Sequence, residues 1–415
     1  MKLTPGLLSA AAAALERILA FSGPADQALS AYLRAHRQLG QRERAFIAEA
    51  AFAVLRRKRS LEAMAGATSP AALVAAALLR VLGYSGRSLQ GLVDAALIAR
   101  LRAARMEPLA PAVRADLPDW TWERLAARYG EEEAMGIAQG LLNAAPLDLR
   151  VNLARTSREQ ALQRLAKDGL PGTATPYSPA GIRLDGKPAI NRHPLFQEGL
   201  VEVQDEGSQL LAWLLAPRRG EMVADYCAGA GGKTLALAML MRGSGRLYAM
   251  DVSAKRLAAL APRAARAGVS SIHPLVLSGD NDARVKRLAG KLDRVLVDAP
   301  CSGFGTLRRN PDLKWRHGPD AVRELAAKQA RILASAARLV KPGGRLVYAT
   351  CSVLEEENDH ISGDFLAAHP AFELLSCKDL LAAQHIGAGQ EQFLRLSPHR
   401  HGTDGFFAAA FVKKP

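Results

Sequence analysis

The sequence predicts an α/β protein. A largely parallel sheet follows a small α+β piece, which in turn follows an all-helical N-terminal part. Three observations carry this. From Glu221 onward, strand, turn and helix alternate: the runs 222–226, 246–250, 273–277, 294–298 and 345–350 are short and apolar, with helical stretches between them. That alternation is the pattern of βαβ units. Four acids, Asp225, Asp251, Asp280 and Asp298, fall at four successive strand ends, where open α/β sheets gather their ligands. Before residue 145 the apolar residues recur only at spacings of three and four.

In chain order, residues 1–145 are expected to be helical throughout. Leu15, Ile18 and Leu19, then Phe46, Ala50, Val54 and Leu55, make apolar faces. Thr68-Ser69-Pro70 is a helix-start signal, and Trp120 and Trp122 open another helix after Pro118. The basic run at 56–59 could grip a phosphate, but a solvated helix end that complements the macrodipole is the commoner origin of such a run. Residues 146–215 form the small α+β piece. LDLRVNL alternates like a half-buried strand, Thr156-Ser157-Arg158-Glu159 reads as a capping box, and short strands follow near 182–184 and 200–204. A helix over 206–215 leads without a linker into the sheet domain, residues 216–415. Its longest helix spans 321–340 and is stopped by Lys341-Pro342-Gly343-Gly344. The runs 392–396 and 406–412 read as a late antiparallel pair at one edge.

Across 415 residues, 55 Lys and Arg outnumber 40 Asp and Glu, for a net charge of +15. A polyanion is the first partner to consider. The basicity is spread along the chain, and the preference for Arg and Ala also fits a GC-rich coding sequence. The four cysteines, Cys227, Cys301, Cys351 and Cys377, form no CxxC pair and no zinc-spaced cluster. Reduced thiols in a cytoplasmic, monomeric protein without a metal are expected. No apolar run reaches the roughly 20 residues of a membrane span. Glu16 and Arg17 interrupt the signal-like start.

The first sheet strand runs into Asp225-Tyr226-Cys227-Ala228-Gly229-Ala230-Gly231-Gly232-Lys233-Thr234. Gly232-Lys233-Thr234 would end a P-loop, but Cys227 stands where that loop needs glycine. Gly229-x-Gly231 fits the dinucleotide fingerprint no better. What remains is an acid-then-glycine loop of the kind used for S-adenosylmethionine. Asp251 is placed to accept the ribose hydroxyls, and Asp280, or nearby Asp282, to meet the adenine amine. Strand four ends in Asp298-Ala299-Pro300-Cys301 and strand five in Thr350-Cys351-Ser352, so the two thiols should face one pocket. A thiolate that adds to carbon 6 of a pyrimidine makes carbon 5 nucleophilic enough to accept a methyl group. Asp298 can hydrogen-bond the ring and stabilise the adduct, and the base must first leave its stack. Spacing does not say which cysteine attacks.

These motifs, VEVQDEGSQL (201–210), DYCAGAGGKT (225–234), DAPCSG (298–303), RRNPDLKW (308–315), YATCS (348–352) and TDGFF (403–407), resemble those of the bacterial ribosomal RNA cytosine-5 methyltransferases of the RsmB (Sun/Fmu) group and the wider Sun/nucleolar RNA 5-methylcytosine methyltransferase family. The resemblance covers about 147–415. It implies an S-adenosylmethionine-dependent, Rossmann-like domain acting on RNA, with 16S ribosomal RNA as substrate, and a NusB-like RNA-binding helical domain. It implies that Cys351 is the nucleophile and Cys301 the product-release group, beside Asp298. Asp225, Cys227, Ala228, Gly229, Ala230, Gly231, Gly232, Lys233, Asp251, Asp280 and Asp298 would hold the cofactor. The family loop usually reads CAAPGGKT, so Gly229-Ala230 is a departure.

Other readings are weaker. Arg308, Arg309 and Lys314 could steer RNA phosphates or form ordinary ion pairs, and Phe304 could stack on a base or merely pack. Cys377 reads as a core thiol, and His399 and His401 have no catalytic setting. The alternatives are an RNA-binding ribosome-assembly factor that keeps the fold without the activity, and a cytosine-5 enzyme for transfer RNA. DNA methylation would want a target-recognition region, and an exocyclic-amine methylase a Pro-Pro-aromatic loop. Neither is present.

Overall fold

A computed structural model describes residues 2–280, 282–389 and 392–415. The chain forms two compact units. One comprises Met1–Ala144 with Thr306–Pro319, and the other Ala145–Gly305 with Asp320–Pro415.

The first unit is helical. Pro5–Leu19 begins at an N-cap, Thr4, whose side chain accepts from the Leu7 amide, and Pro70–Arg80 begins at Ser69 with proline in the first turn. Leu15, Ile18, Ile47, Val54, Leu55, Leu61 and Leu73 meet in its core. The expected basic helix end is a break between Gln41–Arg56 and Lys58–Ala65. Arg59 turns inward there, to the Leu117 carbonyl at 2.6 Å and Asp119 at 2.7 Å. Thr306–Pro319 completes this unit. The Lys314 ammonium donates to the carbonyls of Arg56 (2.8 Å) and Asp116 (2.6 Å), Trp315 Nε1 to that of Leu55 (2.9 Å), and Asp312 Oδ2 accepts from the Ala25 amide at 3.2 Å.

The second unit holds two sheets. The smaller has strands β1 (Leu147–Val151), β2 (Gly172–Ala174), β3 (Gly181–Leu184) and β4 (Val201–Val203) in the antiparallel order β2-β3-β1-β4. Its helix Arg158–Lys167 does carry a capping box, one residue later than expected. Ser157 is the cap, and Gln160, not Glu159, reaches back. The larger sheet holds β5 (Met222–Asp225), β6 (Arg246–Asp251), β7 (Ile272–Val276), β8 (Leu292–Asp298), β9 (Val340–Thr350), β10 (Phe372–Leu375), β11 (Leu394–Leu396) and β12 (Phe406–Lys413). Its order is β10-β12-β9-β8-β5-β6-β7, with β11 also paired to β12.

Strands β5 to β9 are mutually parallel, and helices such as Gly232–Leu240 and Pro319–Ala337 connect them. β11 and β12 form the expected antiparallel pair, but β12 does not lie at the edge of the sheet. β12 is interior, antiparallel to β9 on one side and β10 on the other. Its run of six buried residues from Phe406 to Phe411 suits a strand covered on both faces. The Lys-Pro-Gly-Gly stop lies inside β9 as an irregularity in its pairing with β8.

Candidate active site at the carboxyl edge of the sheet

β8 and β9 run side by side, with Asp298 opposite Ala349. Just beyond those ends the Cys301 and Cys351 sulfurs lie 3.4 Å apart, both as free thiols. The approach depends on two glycines. The Gly305 amide donates to the Cys351 carbonyl at 2.8 Å, and a side chain at 305 would strike the Gly405 carbonyl. The Gly405 amide in turn donates to the Gly305 carbonyl at 2.8 Å. Gly305, just past the DAPCSG motif, and Gly405 of the TDGFF motif thus meet where backbone must touch backbone. The hydrogen bond that Cys301 shares with Cys351, favouring its protonated form as donor, then burial, raises the Cys301 thiol well above its ordinary pKa.

The Lys233 ammonium sits 2.7 Å from Asp298 Oδ2. Burial works against its charge, but Asp298, Cys351 and Asp225 outweigh burial and raise its pKa. Asp225 is fully buried. One oxygen accepts from Thr234 Oγ1 at 2.7 Å, and the other is buried without a partner among the described residues. Burial, opposed by Thr234 and reinforced by Asp298, pushes this carboxyl up to about 7. Asp251 accepts from the Gly229 amide at 2.8 Å, the Ser253 amide at 2.7 Å and Arg256 at 3.1 Å.

Gly229 has φ +55°, and open space surrounds the place a side chain would occupy. A left-handed residue there suits glycine and disfavours a following proline. The Gly229-Ala230 departure is thus matched to this loop conformation. An orphaned buried carboxylate oxygen beside an open glycine corner fits a cationic, ribose-bearing cofactor. Two clamps on this loop escaped the sequence reading: Arg150 donates to the Gly232 carbonyl at 2.8 Å and Arg263 to the Ala230 carbonyl at 2.6 Å. Arg150 lies mid-strand in β1, where nothing in the local pattern marks it.

Asp282 cannot serve adenine, because it caps the helix Ala283–Arg287 and accepts from the amides of Ser278 and Arg284 at 2.8 Å. Asp280 remains, with its carboxylate 3.6 Å from Arg331. Burial, then nearby acids, raises the Cys227 thiol well above its usual value. Cys377 is pushed up to about 11, mainly by burial, and packs in the core. Phe304 is fully buried and packs rather than stacking on a base.

The phosphate-steering expectation fails for Lys314. It is 2% exposed, and its ammonium is spent on two carbonyls inside the helical unit. Burial pulls it down to about 7. Arg308 is likewise buried and Arg309 half-buried. The sequence reading gave no role to Glu357 and Asn358, which are both buried behind the thiols.

Comparison with known proteins fits this geometry. Ribosomal RNA small subunit methyltransferase B of Sodalis glossinidius is 37% identical over 317 residues, covering 75% of this chain and 70% of that protein. This chain belongs to the RsmB/F family. The family model described as 16S rRNA methyltransferase RsmB/F matches residues 212–412, and the RsmF/B-like ferredoxin-like domain model matches 117–191. The probable ribosomal RNA small subunit methyltransferase B of Synechocystis sp. is 38% identical over 298 residues, 71% of this chain and 66% of that protein. The chain thus spans about two thirds of the length of such relatives. The crystal structure of PH0851 matches across 100% of both chains, with a TM-score of 0.80 at 27% identity. A methyltransferase homologue from Pyrococcus horikoshii matches 75% of this chain and 100% of its own, with a TM-score of 0.63 at 31% identity. The larger sheet is an S-adenosylmethionine-dependent methyltransferase fold, as expected for the RsmB/F family.

Proposed function

We propose that the chain is a ribosomal RNA methyltransferase that acts on carbon 5 of a cytosine, with 16S RNA as the substrate. The observation that carries this reading is the pair of free thiols 3.4 Å apart, beside the Lys233–Asp298 ion pair. One thiol of such a pair ionises more readily when its neighbour supplies the hydrogen bond and a cation stands near. Cys351 is read as the thiolate that bonds to carbon 6, the role the family resemblance implies, with the Cys301 sulfur 3.4 Å from it. Asp298, held by Lys233, hydrogen-bonds the ring as charge develops. S-adenosylmethionine, when bound through Asp225, Asp251, Asp280 and the glycine loop, supplies an electrophilic methyl group. After methylation the carbon 5 proton goes to a base. The carbon–sulfur bond then breaks with its electrons returning to Cys351, and Cys301 assists that release. The helical unit is read as the RNA-binding, NusB-like module.

Cysteine substitution tests the chemistry. Cys351→Ala should abolish both methylation and covalent RNA capture. Cys301→Ala should accumulate RNA bound through Cys351, visible as a band resistant to denaturing electrophoresis. Capture by Cys351→Ala would reverse the roles, and capture by neither would overturn the adduct mechanism. Bisulfite mapping of RNA from a deletion strain tests the substrate: loss of a methylated cytosine from transfer RNA rather than 16S RNA would overturn that part.

A further inference from the structure

The two cysteines approach each other from loops 50 residues apart, so something must hold both loops in register. Glu357 and Asn358, neighbours in the chain, each grip one loop. Glu357 is fully buried and accepts from the Ser302 amide at 2.8 Å, Ser302 Oγ at 2.5 Å and Gln329 Nε2 at 3.0 Å. These bonds seize the residue after Cys301. The same Gln329 amide donates to the Pro300 carbonyl at 2.9 Å, which fixes the residue before it. Asn358 is 2% exposed. Its Oδ1 accepts from Thr350 Oγ1 at 2.5 Å and its Nδ2 donates to the Ser352 carbonyl at 3.0 Å, so it brackets Cys351 from both sides. The Tyr348 hydroxyl donates to the Glu357 carbonyl at 2.6 Å and ties the dipeptide to β9.

We propose that Glu357 and Asn358 are a pair of positioning residues, Glu357 for the Cys301 loop and Asn358 for the Cys351 loop, and that together they set the separation of the thiols. This rests on the reaction proposed above for its kinetic consequences, but not for its geometric ones. Neutral donors supply every bond to Glu357 named here, and no carboxylate or amide oxygen of the dipeptide touches either sulfur within those bonds. Those bonds act on the loops, and the Glu357 charge also helps to raise the Cys301 thiol. Catalysis that depends on placement loses on the order of a hundredfold for a displacement of about 1 Å.

Freeing the two loops separately should have opposite effects on the covalent complex. In the full-length protein, Glu357→Ala should cut methyl transfer to unmodified 16S RNA by about a hundredfold. It should also accumulate covalent RNA, as Cys301→Ala does. Asn358→Ala should cut turnover by a similar factor and lose the covalent complex as well. In both, the KM for S-adenosylmethionine should stay within about twofold of wild type, because neither loop holds the cofactor. Glu357→Gln, which keeps an acceptor for the Ser302 amide, should restore most turnover. Milder versions delete the partner and spare the fold: Ser302→Ala should follow Glu357→Ala, and Thr350→Val should follow Asn358→Ala.

A second measurement is independent of the reaction. Diamide oxidises two neighbouring thiols to a disulfide and is itself reduced. Mass spectrometry should find the Cys301–Cys351 bond forming readily in the wild type and at least about tenfold more slowly in Ser302→Ala and Thr350→Val. Unchanged disulfide rates in both would overturn the positioning role. The same RNA-capture behaviour in the Glu357 and Asn358 variants would overturn the assignment of one clamp to each thiol. Failure of Cys301→Ala to capture RNA would overturn the reaction instead, and leave the disulfide result to decide the positioning.

Discussion

Under the proposed function, Asp225 is the residue whose charge state would couple folding to cofactor binding. Its carboxyl is pushed up to about 7 by burial, against the ordinary carboxylate range of about 4 in an unfolded chain. A raised acid contributes stability that is fully present below about pH 4 and is lost as pH rises through 7. The shift is worth on the order of 4 kcal/mol across that window. A cationic cofactor reverses the preference, because it favours the carboxylate. Affinity for S-adenosylmethionine should therefore rise by about tenfold or more between pH 5.5 and 7.5, with proton release on binding. Calorimetry in buffers of different ionisation enthalpy checks both. Asp225→Asn should flatten the pH profile and stabilise the cofactor-free protein at pH 8; a variant with the wild-type slope would exclude Asp225 as the titrating group. The position of Asp225 at a strand end is legible in sequence, because acids at successive strand ends are a pattern of local spacing. Its orphaned oxygen is not, since that depends on what packs around it. The same distinction separates Asp298, legible as an acid at a strand end, from Lys233, whose ion pair spans 65 residues.

At the scale of elements, every parallel strand is readable from its apolar run and its last residue falls within one of the expected end, but Asp280, expected at the end of the third, lies beyond β7, which ends at Val276. The misreadings have a common origin. β12 was assigned to an edge because it comes last, yet its continuous burial marked it as interior. The Lys-Pro-Gly-Gly sequence signals a helix stop, and the helix Pro319–Ala337 does end before it, but the chain re-enters β-structure through an irregular pairing. The most consequential element is Thr306–Pro319. Its arginines and lysine suggested a phosphate-binding loop, whereas packing makes Lys314 an internal cross-brace. Lys314→Ala leaves the Arg56 and Asp116 carbonyls without that donor. It should destabilise the helical unit by about 2–4 kcal/mol. For a unit of this size that is a fall in Tm of several degrees, read by calorimetry. The salt dependence of RNA binding should stay the same, since a residue inside the unit neutralises no phosphate. A shallower salt slope with an unchanged Tm would restore the original reading.

At the scale of the whole molecule, the charge of +15 prepares the chain for a polyanion but says nothing of how its units are assembled. The chain leaves the catalytic unit after Gly305, contributes Thr306–Pro319 to the helical unit, and returns at Asp320. No local pattern encodes this. The bonds from Lys314 and Trp315 reach partners 198 to 260 residues earlier, and only tertiary packing selects them. The helical unit is therefore incomplete as a continuous stretch of sequence. A fragment covering residues 1–144 should lose the bonds to the Leu55, Arg56 and Asp116 carbonyls and melt well below the corresponding transition of the full chain. A synthetic peptide covering 306–319 supplies those bonds in trans. It should raise the fragment's Tm in a concentration-dependent way, since a ligand of the folded state stabilises it by RT ln(1 + [L]/Kd). The same peptide with Lys314→Ala and Trp315→Ala should fail to do so. If fragment 1–144 melts as the full chain does, with no response to peptide, then the segment is a passenger on a unit that folds without it.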